Sequence, residues 1–271
     1  MSGRVEGKVA LITGAARGQG RAEAIRLAGE GAAIIAVDIC APLPQVMYNA
    51  ATEDELAETV GLVESVGGKI VAAKADIRDR VALKAAIDLG VETFGKLDVV
   101  VANAGIMIMK PWDKVTPEDF AVIQEVNVTG TWNTVQLAAP HLIAAGGGSM
   151  ILTSSVAGLK GQPFLSPYTA SKHAVVGLMR AFACELAQHK IRVNTVHPTG
   201  VLTGMGSGDA MSSIGDFFVD NPRIAPMFMN MLDVEITMPE DQAEAVLWLA
   251  SDESKFVTAT ELRVDAGCSA F

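Results

Sequence analysis

A chain of 271 residues, half of them hydrophobic and only 19% charged, is too apolar to stay disordered and long enough to bury a large core, with apolar surface to spare for contacts between subunits. Its net charge of −10 and the lack of any run of Lys and Arg exclude an electrostatic footprint for nucleic acid, while its apolar runs fall short of the roughly 18 to 20 residues of a membrane-spanning helix. Met1 to Lys8 holds no signal-like apolar core. Cys40, Cys184 and Cys268, odd in number and far apart, read as free thiols of a reducing cytoplasm. His141, His173, His189 and His197 are scattered as surface or packing residues with no metal-ligand spacing.

The first element, Lys8 to Thr13, is a short β-rich run that leads directly into Gly14-Ala15-Ala16-Arg17-Gly18-Gln19-Gly20 and then a helical pattern through Leu27. Strand, glycine turn and helix in this order bring the backbone close to a pyrophosphate, whose charge is favoured by the unpaired N–H groups of a helix N-terminus. The spacing Gly-x-x-x-Gly-x-Gly differs from the usual dinucleotide fingerprint Gly-x-Gly-x-x-Gly.

A second strand, Ala32 to Val37, ends at Asp38. A carboxylate there suits the ribose hydroxyls of NAD and repels a 2′-phosphate. Arg17 is open to three readings: pairing with a phosphate, covering the adenine side, or facing solvent. Residues 39–52 form an insertion longer than the usual connection of about 2 to 6 residues, and Pro42 and Pro44 exclude a regular helix. Ile39, Leu43, Val46, Met47 and Tyr48 are too apolar for water, so the insertion is expected to cover the cofactor; a surface insertion is the alternative.

A helix Glu53 to Val66 and a strand Lys69 to Ala75 follow. Asp76-Ile77 either meets the adenine edge or supplies the N-cap of the helix Val81 to Phe94. The strand Leu97 to Ala102 runs into Asn103-Ala104-Gly105, small enough to pass close to a ligand. Thr116 caps, and Pro117 begins, a long helix through Leu142. Within it Asn127 is a polar residue among apolar ones, either a structural bracket or part of a proton path.

Met150 to Thr153 is a strand leading to Ser154-Ser155 and a flexible stretch, Val156 to Gly161. Ile191 to Val196 is the next strand, followed by His197-Pro198-Thr199-Gly200. Residues 204–238 are irregular and rich in Met and Phe, the composition of a lid over an apolar substrate or of a subunit interface. A helix Pro239 to Leu249 and a strand Thr260 to Val264 close the chain. The regular alternation predicts an α/β fold: a doubly wound, parallel, seven-stranded sheet of Rossmann type, flanked by helices on both faces and spanning 1–271 as one domain.

Between the fifth and sixth strands lies Ser166-Pro167-Tyr168-Thr169-Ala170-Ser171-Lys172, continued by Ala174, Val175, Leu178 and Phe182 at helical spacing. Tyr168 and Lys172 then share one helix face. A cation about 4 Å from a phenolate, at an effective dielectric of about 20, favours it by about 4 kcal/mol and would hold the phenol well below its ordinary pKa. Such a tyrosine exchanges protons near neutral pH.

Thr13 with Gly14, Gly18 and Gly20, the tripeptide Asn103-Ala104-Gly105, Asn127, Ser155, Tyr168-x-x-x-Lys172 and the segment Asn194 to Pro198 together resemble the short-chain dehydrogenase/reductase family over essentially the whole chain. The resemblance implies hydride transfer between nicotinamide and an alcohol or ketone carbon, with Tyr168 as general acid/base and Ser155 holding the substrate oxygen. It further implies that Lys172 binds the nicotinamide ribose and lowers the Tyr168 pKa, and that Asn127 anchors a water linking Lys172 to solvent. Implied cofactor contacts are Gly14, Arg17, Gly18, Gln19 and Gly20 in the first turn, Asp38 and Ile39, then Asp76 and Ile77. Asn103, Ala104 and Gly105, Tyr168 and Lys172, and finally Val201 and Thr203 complete the set. A homotetramer is also implied. Where the family commonly has Pro-Gly after the sixth strand, this chain has Pro198-Thr199.

The insertion after Asp38 resembles that of the actinobacterial carveol dehydrogenase-like branch, associated with the redox cofactor mycofactocin. In that branch the extra loop is thought to hold NAD without exchange, an external carrier recycling it. The expected activity is therefore that of an NAD-dependent alcohol dehydrogenase or ketone reductase for a hydrophobic secondary alcohol, terpenoid or otherwise cyclic. The competing readings are a non-catalytic redox sensor on the same scaffold, which has no need of Ser155, Tyr168 and Lys172, and an NADP-dependent 3-oxoacyl-type reductase, against which Asp38 argues.

Overall fold

Strands β1 (Val9–Thr13) and β4 (Val99–Ala102) are buried along their whole length, the pattern of parallel strands covered on both faces. The structure, a computed structural model, describes residues 3–206, 211 and 214–270. In it β1 and β4 join β2 (Ala33–Asp38), β3 (Lys69–Lys74), β5 (Gly148–Thr153), β6 (Ile191–Pro198) and β7 (Glu261–Val264) in one seven-stranded sheet of order β3-β2-β1-β4-β5-β6-β7. Every neighbouring pair is parallel. The doubly wound Rossmann-type sheet expected from the alternation is the one observed.

Alternation along β1 builds the two cores. Val9 and Leu11 join the cluster under α3 (Arg80–Phe94), α4 (Pro117–Gln124), α5 (Thr131–Ala144) and α6 (Ser166–Leu186). Ala10 and Ile12 join the cluster under α1 (Gly18–Ala28), α2 (Glu53–Ser65) and α8 (Pro239–Ala250). The strand order reverses between β1 and β4, so their connections leave toward opposite faces and open a crevice at the carboxyl ends of the strands. The short α7 (Ile214–Asp220) lies in the segment preceding α8.

Thr52 closes a capping box at α2, and Thr116 does the same at α4 with Pro117 in the first turn. Asp79, not Asp76, accepts the first N–H groups of α3, which removes the capping alternative for Asp76. The long helix expected from Thr116 to Leu142 is interrupted by a π-helical turn, Glu125–Gly130, that carries Asn127. Such turns concentrate at functional sites. Val156 to Gly161 is not uniformly loose either: Val156–Gly158 is a buried 3₁₀ turn. A Cβ on Gly158 would stand 2.3 Å from Ser154 Oγ, so only glycine fits.

The insertion 39–52 has no regular structure. It leaves β2 through Cys40, whose φ of 45° is left-handed and costs energy for a residue bearing a Cβ. Leu43 and Val46 pack against the core. Met47 does not, being 74% exposed; it was expected to be covered, but the chain turns it outward between Val46 and Tyr48.

Candidate active site

One cavity of about 440 Å³ runs along the carboxyl ends of the strands, from Asp38, Asp76 and Ile77 at one end to Ser155, Tyr168 and Phe228 at the other. At its dinucleotide end, the Asp38 carboxylate accepts the N–H groups of Ala16 and Cys40, each at 3.0 Å. These bonds tie the glycine turn and the start of the insertion to one buried acid. Arg17 donates to the Asn49 carbonyl and lies 3.9 Å from Glu55. It therefore joins the glycine turn to the far end of the insertion, a contact that none of its three readings named. Asp76 is held by Arg78 at 2.6 Å; burial raises its pKa, but the Arg78 guanidinium outweighs that and holds it below the ordinary value.

Asn103 donates to the carbonyls of Thr13 and Gly14 at 3.0 and 3.4 Å, and Ala104 N–H donates to Thr13 Oγ1 at 3.2 Å. These bonds press the glycine turn against the end of β4. A Cβ on Gly20 would lie 2.2 Å from the Gly14 carbonyl oxygen. Gly20 is thus the packing glycine of the turn and does not itself line the cavity, unlike Gly14, Gly18 and Gln19.

This donor set fits a dinucleotide. The N-terminus of α1 carries no side-chain cap, leaving its first N–H groups for an anion. Gln19 Oε1 and Thr153 Oγ1 are buried without partners among the described residues, and both residues line the cavity. Ile39, Val201 and Thr203 line it too.

At the other end, Tyr168 and Lys172 project from α6 with Lys172 Nζ 5.5 Å from the centre of the tyrosine ring. Among the described residues the one hydrogen bond of Nζ goes to the Thr153 carbonyl at 2.7 Å. Two of its three protons remain for a ligand. Burial pushes the Lys172 ammonium down to about 8. Burial also pushes the Tyr168 phenol up to about 12, against an opposing pull from hydrogen bonding with the Ser155 side chain. The expected lowering of Tyr168 by Lys172 is thus not found in the chain alone: removal from water outweighs a cation that is itself buried and turned toward Thr153.

Asn127 uses both amide protons and one lone pair of its amide oxygen. Oδ1 accepts Ile106 N–H at 2.8 Å, and Nδ2 donates to the Ile106 carbonyl at 2.9 Å and to Ser171 Oγ at 3.0 Å. Among the described residues it is a bracket that fixes the chain after β4 against α6. Gly105 lies between it and Lys172, with room for a Cβ only 3.2 Å from Asn127 Oδ1 and 3.4 Å from Lys172 Nζ.

His197 was not read from sequence as part of the site, and Tyr48 was read only as one of the apolar residues covering the cofactor. His197, fully buried, places Nδ1 2.8 Å from the Ser155 carbonyl and Nε2 2.8 Å from Thr195 Oγ1. Burial lowers its pKa, and the neutral ring holds the backbone of Ser155 in place. Tyr48 of the insertion accepts the Met107 N–H on its phenolic oxygen at 3.3 Å. Its pKa is pushed up to about 12, chiefly by burial, with the neighbouring Tyr168 phenol adding to the rise. The only two tyrosines of the chain therefore meet at one site.

Around Tyr168 the walls are apolar: Met107, Ala157 and Leu165 form a cluster against which Met109, Met205, Met211 and Phe228 pack. Within 204–238, residues 207–210 and 212–213 lie outside the described residues. Of the remainder, Met205, Met211, Ile214 and Phe228 face the cavity, whereas Met229, Met231 and Leu232 are exposed. No group of three or more His, Cys, Asp or Glu among the described residues is placed to hold a metal ion, and no described helix is long and apolar enough to cross a membrane.

A parallel Rossmann-type sheet with a Ser, Tyr and Lys gathered at its switch point defines a class of dinucleotide oxidoreductases. The family profile described as short chain dehydrogenase matches residues 8–211, and the chain belongs to that family. It is 44% identical over 271 residues to the (−)-trans-carveol dehydrogenase of Rhodococcus erythropolis, covering 97% of this chain and 98% of that protein. Its structure is similar to a short chain dehydrogenase from Mycobacterium paratuberculosis bound to NAD, with a TM-score of 0.97, 54% identity and coverage of 99% of this chain and 100% of that one. It is also similar to the carveol dehydrogenase from Mycobacterium avium in complex with NAD, with a TM-score of 0.94, 47% identity and coverage of 100% of each chain. The likeness to the carveol dehydrogenase-like branch, expected from the insertion, is thus found over the full chain.

Proposed function

We propose that this protein is an NAD-dependent dehydrogenase that interconverts a hydrophobic secondary alcohol, carveol or another cyclic or terpenoid alcohol, and its ketone. The observation that carries the reading is the meeting of Tyr168, Ser155 and Lys172 at the apolar end of a cavity whose other end holds the Asp38 carboxylate. Asp38 favours NAD over NADP, since a 2′-phosphate would face a buried anion. Bound NAD supplies the hydride acceptor, or in the reverse direction the donor, at the substrate carbon.

The chain supplies the proton chemistry. The Ser155 hydroxyl holds the substrate oxygen, and Tyr168 Oη takes the hydroxyl proton on oxidation or returns one on reduction. The Lys172 ammonium holds the nicotinamide ribose with the protons left free by Thr153, and stabilises the phenolate. Asn127, with one lone pair of Oδ1 beyond its Ile106 bond, anchors a water through which Lys172 exchanges protons with solvent. The glycine turn and Gln19 hold the pyrophosphate, Asp76 and Ile77 border the adenine, and Val201 and Thr203 border the carboxamide. Met and Phe residues of 204–238 form the lid, which excludes water around the reacting carbon.

The insertion 39–52 retains NAD between turnovers. Two clasps support this: Tyr48 on Met107 N–H, and Arg17 on the Asn49 carbonyl. An external carrier such as mycofactocin then reoxidises the cofactor in place. Exposed Phe120, Trp132 and Ile143 on α4 and α5 supply apolar surface for a homotetramer. Three free thiols suit a cytoplasmic compartment. Incubating the pure protein with carveol and other cyclic secondary alcohols, with an artificial electron acceptor and without added NAD, tests the reading. Ketone formation is expected; no oxidation of any alcohol, with or without added NAD, would contradict it.

A further inference from the structure

Most of the wall around Tyr168 is apolar, but one side chain breaks it. Gln162, on the segment between Ser155 and Tyr168, lines the cavity and is only 6% exposed. Its backbone is fixed, the N–H donating to Thr169 Oγ1 at 3.4 Å and the carbonyl accepting Leu165 N–H at 3.3 Å. Its side chain is not. Among the described residues the buried amide oxygen has no hydrogen-bond partner and the amide nitrogen donates to none.

A buried amide oxygen left unpaired is costly, and native chains almost always satisfy such groups. The other unpaired buried side-chain oxygens of cavity residues are Gln19 Oε1 in the glycine turn and Thr153 Oγ1 at the end of β5, whose carbonyl holds Lys172. Gln162 stands at the substrate end, beside Leu165 and Tyr168, where the proposed reaction already gives the reacting oxygen to Ser155 and Tyr168. An apolar alcohol with a single oxygen would leave the amide facing carbon.

Building on the proposed function, we propose that Gln162 reads a second oxygen function of the substrate, which is a hydrophobic ring alcohol bearing a second hydroxyl. A hydroxyl suits both ends of an amide, donating to Oε1 and accepting from Nε2. A site built to hydrogen-bond a hydroxyl discriminates strongly against the analogue that lacks it, because its own buried group is then left unpaired.

The test compares kcat and KM for cyclohexanol and for cyclohexane-1,2-, -1,3- and -1,4-diol with the whole protein, its NAD and an artificial electron acceptor. At least one diol is expected to exceed cyclohexanol in kcat/KM by about tenfold or more, and Gln162→Met, of similar length but apolar, is expected to reverse that order. The wild-type comparison stands even if the variant does not fold. Cyclohexanol preferred to every diol by the wild type, or a folded Gln162→Met with an unchanged ratio, would overturn the inference and leave the dehydrogenase reading intact. If neither cyclohexanol, the diols nor carveol is oxidised, the dehydrogenase reading itself fails, and this inference with it.

Discussion

Lys172 and Tyr168 stand one turn apart on α6, with the ammonium nitrogen 5.5 Å from the centre of the phenol ring and bonded to the Thr153 carbonyl at 2.7 Å. Both are buried, and burial drives both toward neutrality, Tyr168 up to about 12 and Lys172 down to about 8. Alcohol oxidation needs the phenolate and ketone reduction needs the phenol. The kcat/KM for oxidation is therefore expected to rise from pH 7 to pH 10, while that for reduction stays nearly flat over the same range because the phenol remains protonated, as measured by initial rates in both directions. Tyr168→Phe should lower both by about 10² to 10⁴-fold with NAD binding retained.

Asp38 already accepts two backbone N–H groups, leaving each oxygen a further lone pair for a ribose hydroxyl. Replacing it with Ser removes a charged acceptor from the ribose, and such bonds are worth about 1.5 to 3 kcal/mol. Calorimetry of Asp38→Ser should show NAD binding weakened by about 10 to 100-fold and the preference for NAD over NADP reduced.

Tyr48 clasps the insertion to Met107, which lines the cavity. Tyr48→Phe keeps the ring and deletes the acceptor, a change worth about 0.5 to 1.5 kcal/mol. Release of NADH, followed by its fluorescence in stopped flow, should accelerate by up to about tenfold, and exchange of bound NAD with labelled NAD should accelerate in parallel.

Glu23 on α1 is fully buried, and among the described residues neither carboxyl oxygen has a partner. Burial pushes its pKa from 4.5 to about 8. Between those values the folded chain keeps a proton that the unfolded chain releases, so this residue makes stability fall as pH rises through that window. Glu23→Gln removes the effect. Urea unfolding should find the variant more stable by on the order of 3 kcal/mol at pH 7 and little changed near pH 5.

Features set by local chemistry were legible in the sequence. The four-residue spacing of Tyr168 and Lys172 fixed their common face, the end of an apolar run placed Asp38 at the crevice, and Thr116 with Pro117 marked the start of α4. Features set by distant contacts were not. His197 reaches Ser155 across 42 positions and Tyr48 reaches Met107 across 59, and no local pattern announces either bond. The π turn at Asn127 is a change of backbone hydrogen-bond partner from four residues to five, which no residue type in Glu125–Gly130 announces. The direction of the Tyr168 shift depended on burial of both partners, which residue spacing does not contain.

The central claim is that the chain moves a hydride from a secondary carbinol carbon with Tyr168 as the proton acceptor. A single-turnover experiment with carveol deuterated at the carbinol carbon, followed by mass analysis of the dinucleotide released on denaturation, tests it whether or not NAD exchanges. The account predicts deuterium in the reduced dinucleotide from the wild type and little or none from Tyr168→Phe. Reduced dinucleotide without deuterium, or equal labelling in the two proteins, would contradict it.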